Sequence, residues 1–176
     1  LPEQRTRLTD EEVIARCPWA TTGRTHHRTP NIITSLELDP AEMEKRNIHL
    51  QKKYAEIEEN EVRFEELHCE DAEYLIVAFG SCARIAQKAM EMAREEGIKV
   101  GLLRPITLWP FPSKAIAARA AQVKGILTVE LNAGQMVEDV RLAVECKVPV
   151  EHFGRLGGIV PDPDEVITAL KEKLIK

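Results

Sequence analysis

Short apolar runs alternate with amphipathic stretches from residue 72 onward, and this alternation limits the possible folds more than any other feature of the chain. Runs of six residues lie at 74–79, 98–103 and 126–131, and a shorter run lies at 150–153. Each is followed by a stretch in which apolar residues recur at helical spacing. Strands that alternate with helices in this way are typical of βαβ units. We therefore predict an α/β fold, with a three-layer domain at 72–176 built on a mainly parallel sheet.

The stretches between the runs predict four helices, at 83–96, 113–122, about 134–145, and from Asp162 to near the end of the chain. Gly97 stands where a glycine commonly terminates a helix. Asp162 can cap the last helix, Pro163 suits its first turn, and Glu165 lies three residues after the cap. These signals indicate where the first of these helices ends and where the last one begins.

Residues 1–71 are predicted to be an extended connector arm followed by one amphipathic helix. Between residues 9 and 38 neither helical nor strand periodicity persists, which indicates an arm or long loop. Asp39 and Pro40 then start a helix of about 40–60. Its apolar residues are nearly heptad-spaced: Met43, Leu50, Tyr54 and Ile57. Such a narrow stripe packs either on the chain's own domain or on a partner.

Charge argues against nucleic-acid and membrane binding. The net charge is -5, with 10 Lys and Arg against 17 Asp and Glu in residues 1–73 and 14 against 12 in the rest. A phosphate backbone needs a basic stripe, which this balance does not offer. The sequence also contains no run of about eighteen apolar residues that could cross a bilayer. We expect neither kind of partner.

The four cysteines, Cys17, Cys69, Cys82 and Cys146, form no Cys-x-x-Cys pair. This spacing argues against zinc and iron–sulfur ligation, and the sequence shows no signal peptide. We expect a reduced, cytoplasmic protein in which these thiols mostly fill space. Because the chain starts at Leu1 in a polar stretch without periodicity, we also expect it to begin within a longer protein.

Candidate site residues lie where three of the predicted strands end, the edge at which open α/β sheets place working residues. Gly80 and Ser81 end the first run, and the further glycines of a dinucleotide-binding fingerprint are missing after them, so a nicotinamide or flavin is not expected. The third run ends in Glu130, Asn132, Gly134 and Gln135. Glu130 either contributes to a site or caps the next helix. After the fourth run, Arg155 in a glycine-rich loop either binds an anion or ties two loops together.

Two other segments also hold candidate residues. The arm contains Gly23, Arg24, His26 and His27, which suit an anion contact or acid–base chemistry, or else a solvated loop. Adjacent histidines of an extended chain point to opposite sides, so a joint metal site is not expected. The proline-rich crossing at 103–112 carries Trp109 and Phe111, which we expect to be covered by the chain itself or by another chain.

Several of these motifs together resemble one family. Residues 74–81, 96–100, 103–112 (Leu-Arg-Pro-Ile-Thr-Leu-Trp-Pro-Phe-Pro) and 129–135 (Val-Glu-Leu-Asn-Ala-Gly-Gln) are similar to the transketolase C-terminal-like domain of 2-oxoacid:ferredoxin oxidoreductase alpha subunits. The Gly-x-x-His of the arm, Gly23 to His26, and Glu44-Lys45-Arg46 resemble the connector of the same subunits. Arg24, His27 and Arg28 stand where many members carry acidic residues, which fits the 2-oxoisovalerate type better than the 2-oxoglutarate type.

The resemblance implies an enzyme that oxidatively decarboxylates a 2-oxoacid with coenzyme A to an acyl-CoA and passes the electrons to ferredoxin. It implies thiamine diphosphate, Mg and iron–sulfur clusters in the intact complex, none of them bound by this fragment alone and no metal held by it. Beta and gamma subunits would be its partners in an oligomer. The fragment itself would serve assembly and shape the rim of the site, without a catalytic residue of its own.

Two other functions remain open. The chain could be a non-catalytic interaction domain that uses its near-heptad helix and aromatic crossing. It could also be the equivalent domain of a transketolase or of a 2-oxoacid dehydrogenase E1 component.

Overall fold

The computed structural model describes residues 7–20 and 35–175. The chain divides into two compact units, Leu1–Asn47 and Ile48–Lys176. The first unit holds a short helix and the start of a long one, and the second holds the sheet and the helices around it.

The short helix of the first unit was not predicted. Helix α1 spans Asp10–Arg16. The Thr9 hydroxyl accepts from the Glu12 N–H at 3.3 Å, and the Glu12 carboxylate accepts from the Thr9 N–H at 2.9 Å. This reciprocal pair is a capping box, which satisfies two backbone donors at a helix start. The expected arm or long loop is therefore wrong for residues 10–16, and Thr9-x-x-Glu12 was the overlooked signal.

The long helix begins where Asp39 predicts. Helix α2 spans Pro40–Asn60. Oδ1 of Asp39 accepts from the N–H groups of Ala41 and Glu42 at 2.9 and 3.0 Å. These bonds supply partners for N–H groups that have none within the helix, so the prediction of a helix at about 40–60 is confirmed.

The part of α2 that belongs to the second unit contacts the proline-rich crossing. The Tyr54 and Trp109 rings meet edge to face, with their centroids 5.6 Å apart and their planes at 86°. The Lys114 ammonium lies 3.1 Å from a Glu59 carboxylate oxygen. These contacts favour the interpretation in which this stretch of α2 packs on the chain's own domain.

Five strands form one sheet in the order β1-β3-β2-β4-β5. The strands are β1 Phe64–Leu67, β2 Tyr74–Ala78, β3 Val100–Pro105, β4 Gly125–Glu130 and β5 Val150–Gly154. Strand β1 is antiparallel to β3, and every other neighbouring pair is parallel. The mainly parallel sheet predicted from the four apolar runs is confirmed.

Helices cover both faces of this sheet. They are α3 Gly80–Glu95, α4 Ser113–Ala120, α5 Met136–Val144 and α6 Pro163–Leu170, which continues into a π-helical turn, Lys171–Ile175. Helices α3 and α6 pack together on one face, and α4 and α5 pack together on the other. The chain therefore forms the three layers that its alternating pattern predicts, and α3 begins three residues earlier than expected.

The core lies on both faces of the central strands. Ile76 and Leu127 are buried against α3 and α6, whereas Leu75 and Ile126 are buried against α4 and α5. Successive side chains of a strand point to opposite faces, so a strand covered on both sides must be apolar throughout. This requirement explains why β2 is a continuous apolar run and why β4 is apolar apart from Thr128 and the terminal Glu130.

Strand β1 lies in the stretch that was predicted to be connector. It is held from outside the sheet by two arginines. Arg119 of α4 binds both oxygens of Glu66, Nε to Oε1 at 2.8 Å and Nη2 to Oε2 at 2.6 Å. Arg94 of α3 donates to the carbonyl of His68 at 2.7 Å. These contacts add residues 64–67 to the domain that was expected to start at 72.

Within the described ranges, no helix has both the length and the apolar character needed to span a membrane.

Candidate functional site

The carboxyl ends of β2, β4 and β5 meet at one edge of the sheet, because the three strands are parallel neighbours. The helices that follow β2 and β4 pack on opposite faces, α3 on one and α5 on the other. Adjacent strands whose following helices lie on opposite faces leave a crevice between them, and this crevice is the usual ligand-binding position of open α/β sheets. Both candidate segments that follow these two strands, 80–81 and 130–135, lie at that crevice.

Glu130 is the most constrained residue of this edge. Its side chain is fully buried. The carboxylate accepts from three consecutive backbone N–H groups at the start of α5, those of Gln135 at 3.2 Å, Met136 at 2.9 Å and Val137 at 3.0 Å. A carboxylate at a helix N-terminus binds unpaired donors and favours the positive end of the helix dipole. Of the two interpretations of Glu130, the structure supports the cap.

His152 of β5 lies against this cap and was not among the predicted residues. Its Nδ1 is 3.5 Å from Oε1 of Glu130 and 3.2 Å from Oγ1 of Thr128. Its Nε2 is 3.3 Å from the carbonyl oxygen of Asn132. The Asn132 side chain in turn accepts from the Gly134 N–H at 2.7 Å. The loop between β4 and α5 is therefore bound both to its own helix and to the neighbouring strand.

A glycine makes room for the His152 contact. A Cβ on Gly154 would lie 2.2 Å from the carbonyl oxygen of Asn132 and 2.7 Å from Nε2 of His152. Both distances are far shorter than van der Waals contact, and the first involves backbone that cannot move aside easily. The end of β5 therefore requires a residue without a side chain.

Gly80 and Ser81 form the first turn of α3 and are both exposed. Gly80 has a φ of 58°, a conformation that costs glycine little. Cys82, the next residue, is buried, and burial followed by the charge of Glu130 raises the pKa of its thiol above the usual value. A thiol that keeps its proton is a poor nucleophile and a poor metal ligand.

Arg155 belongs to the same edge but has a partner in its own domain. Its Nη1 lies 3.1 Å from Oε1 of Glu165 in the first turn of α6, and its backbone N–H donates to the carbonyl of Glu130 at 3.3 Å. Of the two interpretations offered for this arginine, these contacts favour the tie between loops.

Trp109 and Phe111 lie outside this crevice. Trp109 is 55% exposed, and Phe111 is half-buried beside the α4 and α5 core. Both line a cavity of about 790 Å³ that extends from the end of α2 across the proline-rich crossing. The crossing follows the carboxyl end of β3, which is parallel to β2, and the residues that line this cavity do not include 80–81 or 130–135. The arm candidates Gly23, Arg24, His26 and His27 fall outside the described residues.

Two features limit what the described part of this edge could bind. Among residues 7–20 and 35–175, no group of three or more His, Cys, Asp or Glu side chains could hold a metal ion. The Glu130 carboxylate already fills the start of α5, where a phosphate group would otherwise bind. At this edge the Glu130 carboxylate and the Asn132 side chain are therefore both occupied by contacts within the chain.

Comparison with known proteins identifies the family. Residues 72–166 match the model described as pyruvate:ferredoxin oxidoreductase core domain II. The chain belongs to this family. The family resemblance expected from the 74–81, 103–112 and 129–135 motifs is thereby confirmed for core domain II.

Individual members and relatives of core domain II agree with this assignment. Ketoisovalerate oxidoreductase subunit VorB of Methanothermobacter thermautotrophicus is 46% identical over 165 residues, which are 92% of this chain and 46% of VorB. The chain thus spans about half the length of this curated relative. The structure of 2-oxoglutarate:ferredoxin oxidoreductase from Magnetococcus marinus, with 2-oxoglutarate, coenzyme A and succinyl-CoA bound, superposes with a TM-score of 0.67 and 26% identity, covering 77% of this chain and 24% of that one.

A more distant structure supports the fold alone. A split-gene transketolase, an inactive beta4 tetramer, gives a TM-score of 0.54 with 20% identity and covers 64% of this chain and 42% of its own. The expected transketolase-like architecture of core domain II is therefore confirmed.

Proposed function

We propose that this chain is the C-terminal part of the alpha subunit of a 2-oxoacid:ferredoxin oxidoreductase. The identity of 46% to VorB across 92% of the chain carries the proposal. The whole enzyme would decarboxylate a 2-oxoacid oxidatively, form an acyl-CoA and reduce ferredoxin. Within it, this part would serve assembly and form one edge of the site.

The proposed substrate is a branched-chain 2-oxoacid such as 2-oxoisovalerate. Identity to the ketoisovalerate subunits of two Methanothermobacter species is 46% and 45%, whereas identity to their 2-oxoglutarate synthase subunits KorA is 35% and 33% over 57% of this chain. Arg24, His27 and Arg28 in the arm point the same way from the sequence. Substrate-contacting groups would lie mostly in other parts of the complex.

Thiamine diphosphate, Mg and the iron–sulfur clusters are proposed to be held elsewhere in the complex. The chemistry of the described residues supports this proposal. Burial and the charge of Glu66 raise the pKa of Cys69 to about 11, and Cys82 is shifted in the same direction, whereas iron–sulfur clusters bind thiolates. No metal-ligand set occurs at 7–20 or 35–175, and Glu130 fills the anion position at α5.

The proposed partners are beta and gamma subunits of the same enzyme, with ferredoxin and coenzyme A reached through the complex. The aromatic surface formed by Tyr54, Phe64, Trp109 and Phe111 is the candidate contact. Exposed large apolar groups that lie together usually mark a protein–protein interface. The residues 80–81 and 130–135 are the candidate rim.

A domain swap tests the enzyme assignment. The matched segment of Methanothermobacter VorB would be replaced by this chain, and the hybrid would be expressed with the companion subunits of VorB. We expect assembly and dye reduction with 2-oxoisovalerate, assayed beside 2-oxoglutarate. Because the rest of the hybrid comes from VorB, the substrate of this chain's own enzyme would be read from its native complex. Unmodified VorB and VorB without the segment are the controls.

Two results would contradict the proposal in different ways. A hybrid that assembles but turns over neither substrate would leave only the non-catalytic interaction domain. Dye reduction by the isolated 176-residue chain with either 2-oxoacid would refute its role as a dependent part.

A further inference from the structure

His152 is surrounded by hydrogen-bond acceptors. The carbonyl of Asn132 faces Nε2 and can only accept, so Nε2 must carry a hydrogen for this contact to form. On the other side, Nδ1 faces the Glu130 carboxylate and the Thr128 hydroxyl. The ring therefore connects three segments: strand β4, the loop 131–135 and its own strand β5.

Thr128 allows the ring to exist in two protonation states. Its hydroxyl lies 3.2 Å from Nδ1 of His152 and also donates to the carbonyl of Glu151 at 3.2 Å. When Nδ1 is bare, the hydroxyl can turn and donate to it. When Nδ1 carries a hydrogen, it donates to Glu130 or Thr128, and the hydroxyl returns to Glu151.

The two states differ in what holds the loop. With Nε2 protonated alone, the ring binds the carbonyl of Asn132 but places a lone pair 3.5 Å from the Glu130 carboxylate. With both nitrogens protonated, the ring adds an ion pair to Glu130, which itself binds the start of α5. Hydrogen bonds to a charged group are stronger than those between neutral groups.

Other charged groups lie on the helix that packs against β5. Helix α5, which packs on β5, carries Glu138, Asp139 and Arg141, and Arg141 donates to the carbonyl of Val150. On the opposite face of the sheet, Cys82 of α3 is close enough to Glu130 that the carboxylate charge raises the pKa of its thiol. Among the residues described, Glu130 is the charged group that contacts the ring.

We propose that His152 is a positioning residue that clamps the loop 131–135 to β5, and that a second ring proton strengthens the clamp by adding a bond to Glu130. The loop contains Asn132, Gly134 and Gln135. The clamp is a property of this chain, whereas any influence on turnover rests on the proposed function.

Paired substitutions separate the two nitrogens. His152→Gln can keep a donor near the Nε2 position, and His152→Asn can keep one near Nδ1. Hydrogen exchange of a peptide covering 131–137 would be measured on the 176-residue chain at pH 5.5 and 8.5 and corrected for intrinsic rates. Glu151→Gln, on the same strand with its side chain on the opposite face, is the matched control.

In the unsubstituted chain, we expect exchange about fivefold slower at pH 5.5 than at pH 8.5. His152→Gln should remove this pH difference. His152→Asn should accelerate exchange at both values, because the bond to Asn132 is lost. Glu151→Gln should match the unsubstituted chain. Equal exchange in all four proteins would overturn the proposal.

Nitrogen NMR gives a second measurement that needs no variant. The neutral ring of His152 is expected to carry its hydrogen on Nε2, and a neutral ring protonated on Nδ1 would overturn the proposal. The same variants in the hybrid VorB complex separate the clamp within the chain from the influence of the loop on turnover. Altered exchange in the chain with unchanged turnover of the complex supports the clamp and contradicts the role of the loop as a site edge.

Discussion

At the scale of single residues, Glu130 determines how the candidate edge is built. One buried carboxylate binds three backbone N–H groups of α5 and lies beside His152. Burying a charge is costly unless hydrogen bonds compensate it, and here they come from a helix start that would otherwise lack partners. The same contacts that make Glu130 stable in the core also fix the direction in which α5 leaves β4.

Glu130→Ala should destabilise the chain strongly. The substitution removes partners from three N–H groups in a buried place, so we expect a loss of about 3 kcal/mol and a fall in Tm of about 6–12 °C. Glu130→Gln should cost less, because its single amide oxygen still accepts. Glu138→Gln, at an exposed position of α5, is the control in thermal unfolding. A Glu130→Ala protein as stable as the control would contradict the capping role.

His152 shows why part of the site was missed in the sequence. It stands in the middle of a strand and lies 22 positions from Glu130, so no motif or spacing connects the two. Glu130 itself was recognisable because it ends an apolar run. The pairing of β4 with β5, which aligns Thr128 with His152, decides the contact, and that register is a tertiary property.

At the scale of elements, β1 is held both by its pairing with β3 and by a side chain from outside the sheet. The guanidinium of Arg119 holds the pKa of Glu66 below its usual value by hydrogen bonding, against the opposing effect of burial. Both side chains are mostly buried, with 22% and 23% of their surfaces exposed. A bidentate pair of this kind is stronger than an ordinary surface salt bridge.

The Glu66 to Arg119 pair should give a pH-dependent share of stability. Because the pKa of Glu66 is lower in the folded chain than in the unfolded one, the stabilisation is complete above the ordinary value of 4.5 and is lost as pH falls through the folded value. Glu66→Gln should therefore cost about 1–2 kcal/mol at pH 7. The difference between the two proteins should shrink below pH 4.5.

Urea unfolding of Glu66→Gln against the unsubstituted chain at pH 7 and in acid would check this. Comparing the two proteins at each pH removes the acid sensitivity of Asp71 and Glu73, whose pKa values are also lowered, by Arg94 and Lys124 respectively. Glu172→Gln, an exposed neutralisation next to α6 on the other face of the sheet from α4, is the control. A stability difference that persists unchanged in acid would show that the charge of Glu66 is not its source.

The elements themselves were predictable to different degrees. The four parallel strands and the helices after them follow from continuous apolar runs and amphipathic stretches, because burial on two faces demands that pattern. Strand β1 was not predicted because its sequence, Phe64-Glu65-Glu66-Leu67, places two charged residues between two apolar ones and is not an apolar run. Its backbone pairs with β3, and its two glutamates bind Arg104 of β3 and Arg119 of α4, all of which lie far away in sequence.

At the scale of the whole molecule, the proline-rich crossing leaves several large apolar side chains exposed beside the aromatic surface. Ile106 and Leu108 are each 48% exposed, and Trp109 is 55% exposed. The segment that carries them is attached to the chain before β1, because the N–H groups of Ile106 and Thr107 both donate to the carbonyl of Arg63. A fixed, exposed apolar surface is a reasonable candidate for a subunit contact.

Trp109→Ala should weaken assembly while the chain stays folded. An exposed tryptophan contributes little to a monomer, but a buried interfacial one is worth about 1–3 kcal/mol, or five- to 150-fold in affinity for the companion subunits. Exchange of residues 103–112 should also slow when the subunits are added. Leu142→Ala, which alters an apolar side chain that is 76% exposed on α5, is the control. Unchanged exchange at 103–112 on assembly would contradict the interface.

The antiparallel strand β1 also determines where this protein can be cut. The family match ends at 72 and 166, yet β1 lies before that stretch and Ile167 and Leu170, both buried, lie after it. A recombinant protein trimmed to those limits would leave the backbone of β3 unpaired along one side and remove much of the apolar face of α6. Free strand edges pair with each other between molecules. Such a fragment would therefore tend to aggregate, and soluble expression would require residues upstream of 64 and downstream of 170.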